Sequence, residues 1–103
     1  GFEMNITDGI IRARYRERPD QQVLMEAFEI YEIQITPFPT ANVFKKGHRI
    51  RVDISSSNFP RFDINPNTGE PLGRHRSQRM AENSILHSVD RPSHIVLPIV
   101  PAN

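Results

Sequence analysis

The stretch that decides the fold is Val43 to Pro60, VFKKGHRIRVDISSSNFP. Lys45-Lys46-Gly47 reads as a turn, and behind it Ile50, Val52 and Ile54 alternate with Arg49, Arg51 and Asp53. A period of two marks a strand with one face to a core and the other to water. Ser55-Ser56-Ser57-Asn58 then forms a loop, and Phe59-Pro60-Arg61-Phe62 returns two aromatics to the interior before a second turn. The stretch carries a structural signature and no catalytic one.

Working outward, the same alternation recurs. Ile11, Ala13 and Tyr15 alternate with Arg12, Arg14 and Arg16, which places these arginines, with Arg18 in line, on one face of a first strand ended by Pro19-Asp20. A short apolar stretch from Val23 to Ala27 leads into Phe28 to Thr36, where Tyr31, Ile33 and Ile35 face one way and Glu32, Gln34 and Thr36 the other. Pro37 and Pro39 stop that strand, because proline has no N–H to give to a ladder. Phe38, Ala41, Val43 and Phe44 cross towards the central strand. Beyond it lie a polar turn cluster, Asp63 to Glu70, and a basic, loop-like segment, Leu72 to Met80, with Arg74, His75, Arg76 and Arg79. Ile85, His87 and Val89 predict a further strand broken at Asp90-Arg91-Pro92. Ile95 to Val100 predicts an interior strand, apolar on both faces and punctuated by Pro98. Five or six short strands between turn signals suggest an all-β sandwich.

Composition agrees with that class. The chain has 103 residues, 37% hydrophobic and 24% charged, with nine prolines, five glycines and a net charge of +1. A chain of this size is at most one small domain with a modest core. The near-neutral balance gives no bulk attraction for a polyanion, so neither nucleic acid nor membrane is an expected partner. With no cysteine there is no disulfide framework and no thiolate ligand or nucleophile. No apolar run reaches the roughly 20 residues that span a bilayer. The chain opens on Gly1, so its start is expected upstream; a cytoplasmic location is favoured, with secretion or the periplasm as the alternative if a leader precedes it.

No catalytic, cofactor or metal residue is assigned. A serine nucleophile on an α/β-hydrolase elbow needs G-x-S-x-G, and the string is absent. The nearest substitute is His48 with Asp53 and one of Ser55 to Ser57. Five strand residues at about 3.3 Å each put His48 and Asp53 roughly 16 Å apart, far beyond hydrogen-bond reach. His48 reads instead as a turn residue whose ring donates to a nearby carbonyl. Asp63, Asn65 and Asn67 imitate the first ligands of a calcium loop, but Thr68 stands where glycine is needed and Arg74 where a bidentate glutamate is needed. A turn closed by Asn67-Thr68-Gly69 is the reading preferred. His75, His87 and His94 lack the spacing of a zinc pair. The arginine row could bind phosphate, yet Glu17, Asp20, Glu26, Glu29 and Glu32 are available to pair with it across a sheet.

The string FKKGHRIRVDISSSNFPRFDINPNTGEPLG, together with PSHIVLPIVP, resembles the C-terminal region of one hydrolase family. That family, the CocE/NonD hydrolases, groups cocaine esterase, X-Pro dipeptidyl-peptidase, α-amino-acid ester hydrolase and glutaryl acylase. The similarity runs from about Ile6 to Pro101. It implies a C-terminal, non-catalytic jelly-roll (galactose-binding-like) sandwich, of which this chain resembles only the C-terminal part. It also implies an upstream α/β-hydrolase domain of the same protein as partner, carrying a Ser-His-Asp triad that maps to no residue here. Where family members usually carry a Pro-Gly turn, this chain has Ala27-Phe28.

A partial sandwich exposes strand edges, so self-association through them is expected. The competing function is an independent carbohydrate- or ligand-binding jelly roll. Sugar platforms need exposed aromatic faces, and the chain has no tryptophan, while Phe28, Phe38, Phe44, Phe59 and Phe62 mostly occupy positions that suit a core.

Overall fold

Residues 12–31 are organised around one arginine. In the computed structural model, which describes residues 1–101, Ala13–Tyr15 is a single turn of 3-10 helix, the one helical element among those residues. Tyr15 donates its N–H to the Arg12 carbonyl at 2.8 Å, and Arg16 donates to the Ala13 carbonyl at 3.2 Å. This corrects the expected first strand. With three residues per turn, Arg12, Arg14 and Arg16 no longer share a face. A lone strand has no ladder, so its carbonyls find partners locally, within the turn and at a side chain.

The described residues contain no α-helix and no laddered strand. Antiparallel pairing is confined to two isolated bridges, Arg18 with Gln21 and His87 with Pro92. Ile50, Val52 and Ile54 keep their alternation in sequence but all three are exposed, as are Arg49, Arg51 and Asp53. The Ile95 to Val100 segment, expected in the interior, is exposed throughout. No hydrophobic residue is buried among the described residues, and Phe28, Phe38, Phe44 and Phe59 stand out from the surface where core positions were expected. Alternation assigns two faces to a strand, but only neighbouring strands and a second sheet turn one of those faces into a core.

The chain gathers into two units, Gly1–Asp53 and Ile54–Asn103. In the first, Val23 donates to the Arg14 carbonyl at 2.7 Å, and the Arg14 guanidinium reaches the Gln22 side chain at 3.2 Å. Phe38 donates to the Asp8 carbonyl at 2.9 Å, while the Thr7 hydroxyl donates to the Phe38 carbonyl at 2.6 Å. Gly9 lies at this crossing; a Cβ there would stand 2.9 Å from the Pro37 Cα. The Lys45 turn forms as expected, with His48 N–H on the Lys45 carbonyl at 3.0 Å and Gly47 at φ +86°.

Ala27-Phe28 forms a turn of its own. Glu29 N–H meets the Glu26 carbonyl at 3.4 Å, and Phe28 takes the left-handed position at φ +68° with its ring wholly in water. A bulky side chain pays there for a Cβ–carbonyl clash worth about 1–2 kcal/mol. Phe28→Gly is expected to stabilise the turn by about 1 kcal/mol, slowing Glu29 amide exchange roughly fivefold. Faster exchange in that variant would show that the ring, and not the backbone, holds the turn.

In the second unit, the Phe59-Pro60 peptide is cis and Phe62 donates to the Asn58 carbonyl at 3.1 Å. The break expected at Asp90-Arg91-Pro92 is a turn closed by reciprocal Ser88–Arg91 backbone bonds, both 3.2 Å. The Ser93 hydroxyl donates to the Leu86 carbonyl beside it.

Candidate functional site

The groups nearest to a hydrolytic constellation are occupied by their neighbours. Asp53 accepts from Arg51 Nε at 2.8 Å, and the Ser55 hydroxyl donates to the Ser57 carbonyl at 2.6 Å. His48 enters its turn through the backbone N–H, and its ring makes no hydrogen bond among the described residues, which corrects the expected ring contact. The histidine that does meet a carbonyl is His94, whose Nδ1 lies 2.7 Å from the Pro92 oxygen. Among the described residues, no three His, Cys, Asp or Glu side chains gather as a metal set. No helix of the described residues is long and apolar enough to cross a membrane.

The arginine row is dispersed into separate roles. Arg18 grips Asp20 with two nitrogens, at 3.0 and 2.7 Å, and Arg16 pairs with Glu17 at 3.2 Å. These pairs are local in sequence, not across a sheet as expected. Arg16 is the interior member, its side chain only 7% exposed. Nη1 donates to the carbonyls of Ala13 at 3.0 Å and Val23 at 2.7 Å, and the guanidinium lies over the Tyr31 ring, 4.3 Å from its centroid. The Tyr31 hydroxyl in turn accepts the Glu26 N–H at 3.0 Å, next to the Phe28 turn. One guanidinium therefore ties the 3-10 turn, the Val23 segment and the Tyr31 segment together. No local pattern announces this role, because its contacts beyond the turn, the Val23 carbonyl and the Tyr31 ring, lie seven and fifteen residues away.

The second organised cluster is the loop Pro66 to Arg79. Pro66 is the one buried residue among those described. Its carbonyl accepts Arg79 N–H at 2.9 Å, and Asn67 Nδ2 donates to the Arg79 carbonyl at 2.9 Å, so the two ends are clipped together. Asn65 Oδ1 accepts the Asn67 N–H at 3.1 Å, and Asn67 and Gly69 take the left-handed conformation, φ +56° and +74°. The asparagines of the imagined calcium loop thus serve their own backbone. The polar turn and the basic segment, read separately in the sequence, are one closed loop of the Ω kind.

Glu70 holds the inside of this loop. It accepts the Thr68 hydroxyl at 2.8 Å and the Arg76 N–H at 3.3 Å. These bonds keep its carboxyl below the ordinary glutamate range: the Thr68 hydroxyl contributes most, partial desolvation opposes it, and the Arg76 and Ser77 N–H groups and nearby His75 add to the lowering. A depressed folded value means that the contribution to loop order is complete above the ordinary range and is lost as pH falls through that range to the lower folded value. The Arg76 amide resonance is therefore expected to titrate with a midpoint below that of an unstructured glutamate. A midpoint at or above it would remove Glu70 as the clamp.

Comparison with known proteins adds the wider setting. Residues 1–96 match the family described as the X-Pro dipeptidyl-peptidase C-terminal non-catalytic domain. Cocaine esterase from Rhodococcus sp. (strain MB1 Bresler) is 49% identical over 102 residues, covering 97% of this chain and 18% of the esterase. The chain spans less than a fifth of that relative's length. No solved structure matches.

Proposed function

The chain belongs to the family of X-Pro dipeptidyl-peptidase C-terminal non-catalytic domains, and from that premise we propose that it is the accessory β-sandwich of an acyl or peptide hydrolase. On this reading it forms the C-terminal part of a jelly roll and lays its apolar face against the remainder of the sandwich and an upstream α/β-hydrolase domain. That domain supplies the Ser-His-Asp chemistry on ester, amide or X-Pro peptide bonds. The accessory part supplies packing and assembly, and its remaining sheet edges pair with a second copy.

One observation carries the reading: the surface is too large and too apolar for a chain meant to stand alone. A folded monomer of 11.9 kDa has an accessible area of about 6,000 Å². This chain presents 10413 Å², with no buried hydrophobic residue among those described. The excess, roughly 4,400 Å² on this chain alone, is well above the ~800 Å² that one partner gives to a standard interface, and it leaves ample apolar surface for a neighbouring domain to cover.

The test is reconstitution. The preceding hydrolase polypeptide is expressed with and without this chain, and hydrolysis of a nitrophenyl acyl ester and of an X-Pro nitroanilide is followed. Expected is a poorly soluble, weakly active hydrolase part that recovers activity in a one-to-one complex when the chain is supplied in trans. A hydrolase part that is fully active alone and does not bind the chain would refute the proposal.

A further inference from the structure

The closed loop Pro66 to Arg79 presents three arginines that form no ion pair among the described residues. Between Glu70 and Glu82 the sequence PLGRHRSQRMA carries three arginines and a histidine and no acid. Arg74, His75, Arg76 and Arg79 are all exposed. The arginines of the first unit behave differently: Arg16 pairs with Glu17, Arg18 with Asp20, and Arg51 with Glu3 at 3.1 Å and Asp53 at 2.8 Å. The guanidiniums of Arg74, Arg76 and Arg79 take part in no ion pair among the described residues. The nearest carboxylate, Glu70, is engaged by Thr68 and the Arg76 backbone.

The backbone beneath these cations is held in place. Arg74 N–H meets the Pro71 carbonyl at 3.1 Å across a turn with Gly73 at φ +71°, Arg76 N–H meets Glu70, and Arg79 is fastened at both its N–H and its carbonyl. A ligand that binds here does not have to order the loop first, which removes part of the entropy cost of association.

We propose that this loop is a docking surface for a carboxylate-rich face of a separate partner protein. Each guanidinium can take a carboxylate through two parallel N–H bonds. Leu72 and Met80, exposed on either side of the arginines, offer the apolar contact that surrounds charged centres in protein interfaces. Nucleic acid fits less well. Three arginines within six residues cover at most about 20 Å even if fully extended, fewer contacts than the roughly 6–10 phosphates of a typical site. The chain as a whole, with 13 basic against 12 acidic residues, adds no continuous positive field. This inference stands apart from the accessory-domain reading and does not need it.

The 103-residue chain, isotopically labelled, is titrated with a poly-glutamate peptide at low and high salt, with heparin and anionic phospholipid vesicles as competitors. Amide shifts are expected at Arg74 to Arg79, with affinity falling roughly tenfold in the R74Q/R76Q variant and falling again with salt. Glu70→Gln separates shape from charge. It removes a negative charge, so attraction by charge alone would tighten binding, whereas a preorganised loop loses its clamp and binds more weakly. Tighter binding by Glu70→Gln, shifts elsewhere in the chain, indifference to R74Q/R76Q, or preference for heparin or vesicles over the peptide would each overturn the proposal.

Discussion

Purified by itself, the 103-residue chain is expected to sediment as an expanded or self-associated species with a broad, weakly cooperative thermal transition, and to gain a sharp transition once the proposed hydrolase partner is added. Ordering a residue costs about 1–2 kcal/mol of backbone entropy, and the term that offsets it in most domains is burial of apolar side chains. Ile33, Ile50, Val52, Ile54, Ile95 and Leu97, spread over both halves of the sequence, all remain exposed. Their burial against a partner would return the missing hydrophobic term, at about 25 cal/mol for each Å² removed from water. Differential scanning calorimetry with sedimentation equilibrium reads the outcome directly. A monomer that melts sharply at every concentration would mean that the chain builds a core unaided, and the excess area would lose its meaning.

Arg16→Ala is expected to be the most damaging single substitution in the first unit, costing about 2 kcal/mol. It removes two hydrogen bonds from a charged donor to backbone carbonyls and the stack on Tyr31. The Ala13 and Val23 carbonyls lose their guanidinium partner, and the Tyr31 ring loses the cation that faces it. Amide exchange at Val23 and Glu26 should accelerate roughly thirtyfold, because both sit on segments that Arg16 joins. Arg16→Lys should recover only part of the loss, since an ammonium lacks the planar fork that reaches two carbonyls while stacking. Arg18→Ala, which breaks a solvent-exposed pair with Asp20, should change little. Equal effects at Arg16 and Arg18 would rule out the hub.

Much of the turn structure was legible because turn chemistry is local. Lys45-Lys46-Gly47 and Asn67-Thr68-Gly69 place glycine or asparagine where φ is positive, and Asp90-Arg91-Pro92 breaks the chain where the Ser88–Arg91 turn forms. Phe28 is the exception that tests the rule: its residue type argues against a left-handed turn, and the turn forms nonetheless. The strands were legible only as patterns. Alternation at Ile50, Val52 and Ile54 says which side chains share a face, not what covers it.

The sequence by itself determined family membership, the scarcity of helix, the turn positions, and the absence of a nucleophile elbow or a thiolate. Each of these depends on residues close together in the chain or on a string long enough to be specific. The tertiary structure alone decided that Arg16 turns inward while Arg18 meets Asp20, that residues 12–16 wind into a 3-10 turn, and that Asn67 and Arg79 close one loop around Glu70. The reason is that a guanidinium or an amide can satisfy many carbonyls equally well. Which one it meets depends on how the chain closes, over two or three residues at Arg18–Asp20 and the 3-10 turn and over seven to fifteen at Val23, Arg79 and Tyr31, and side-chain periodicity carries no information on either.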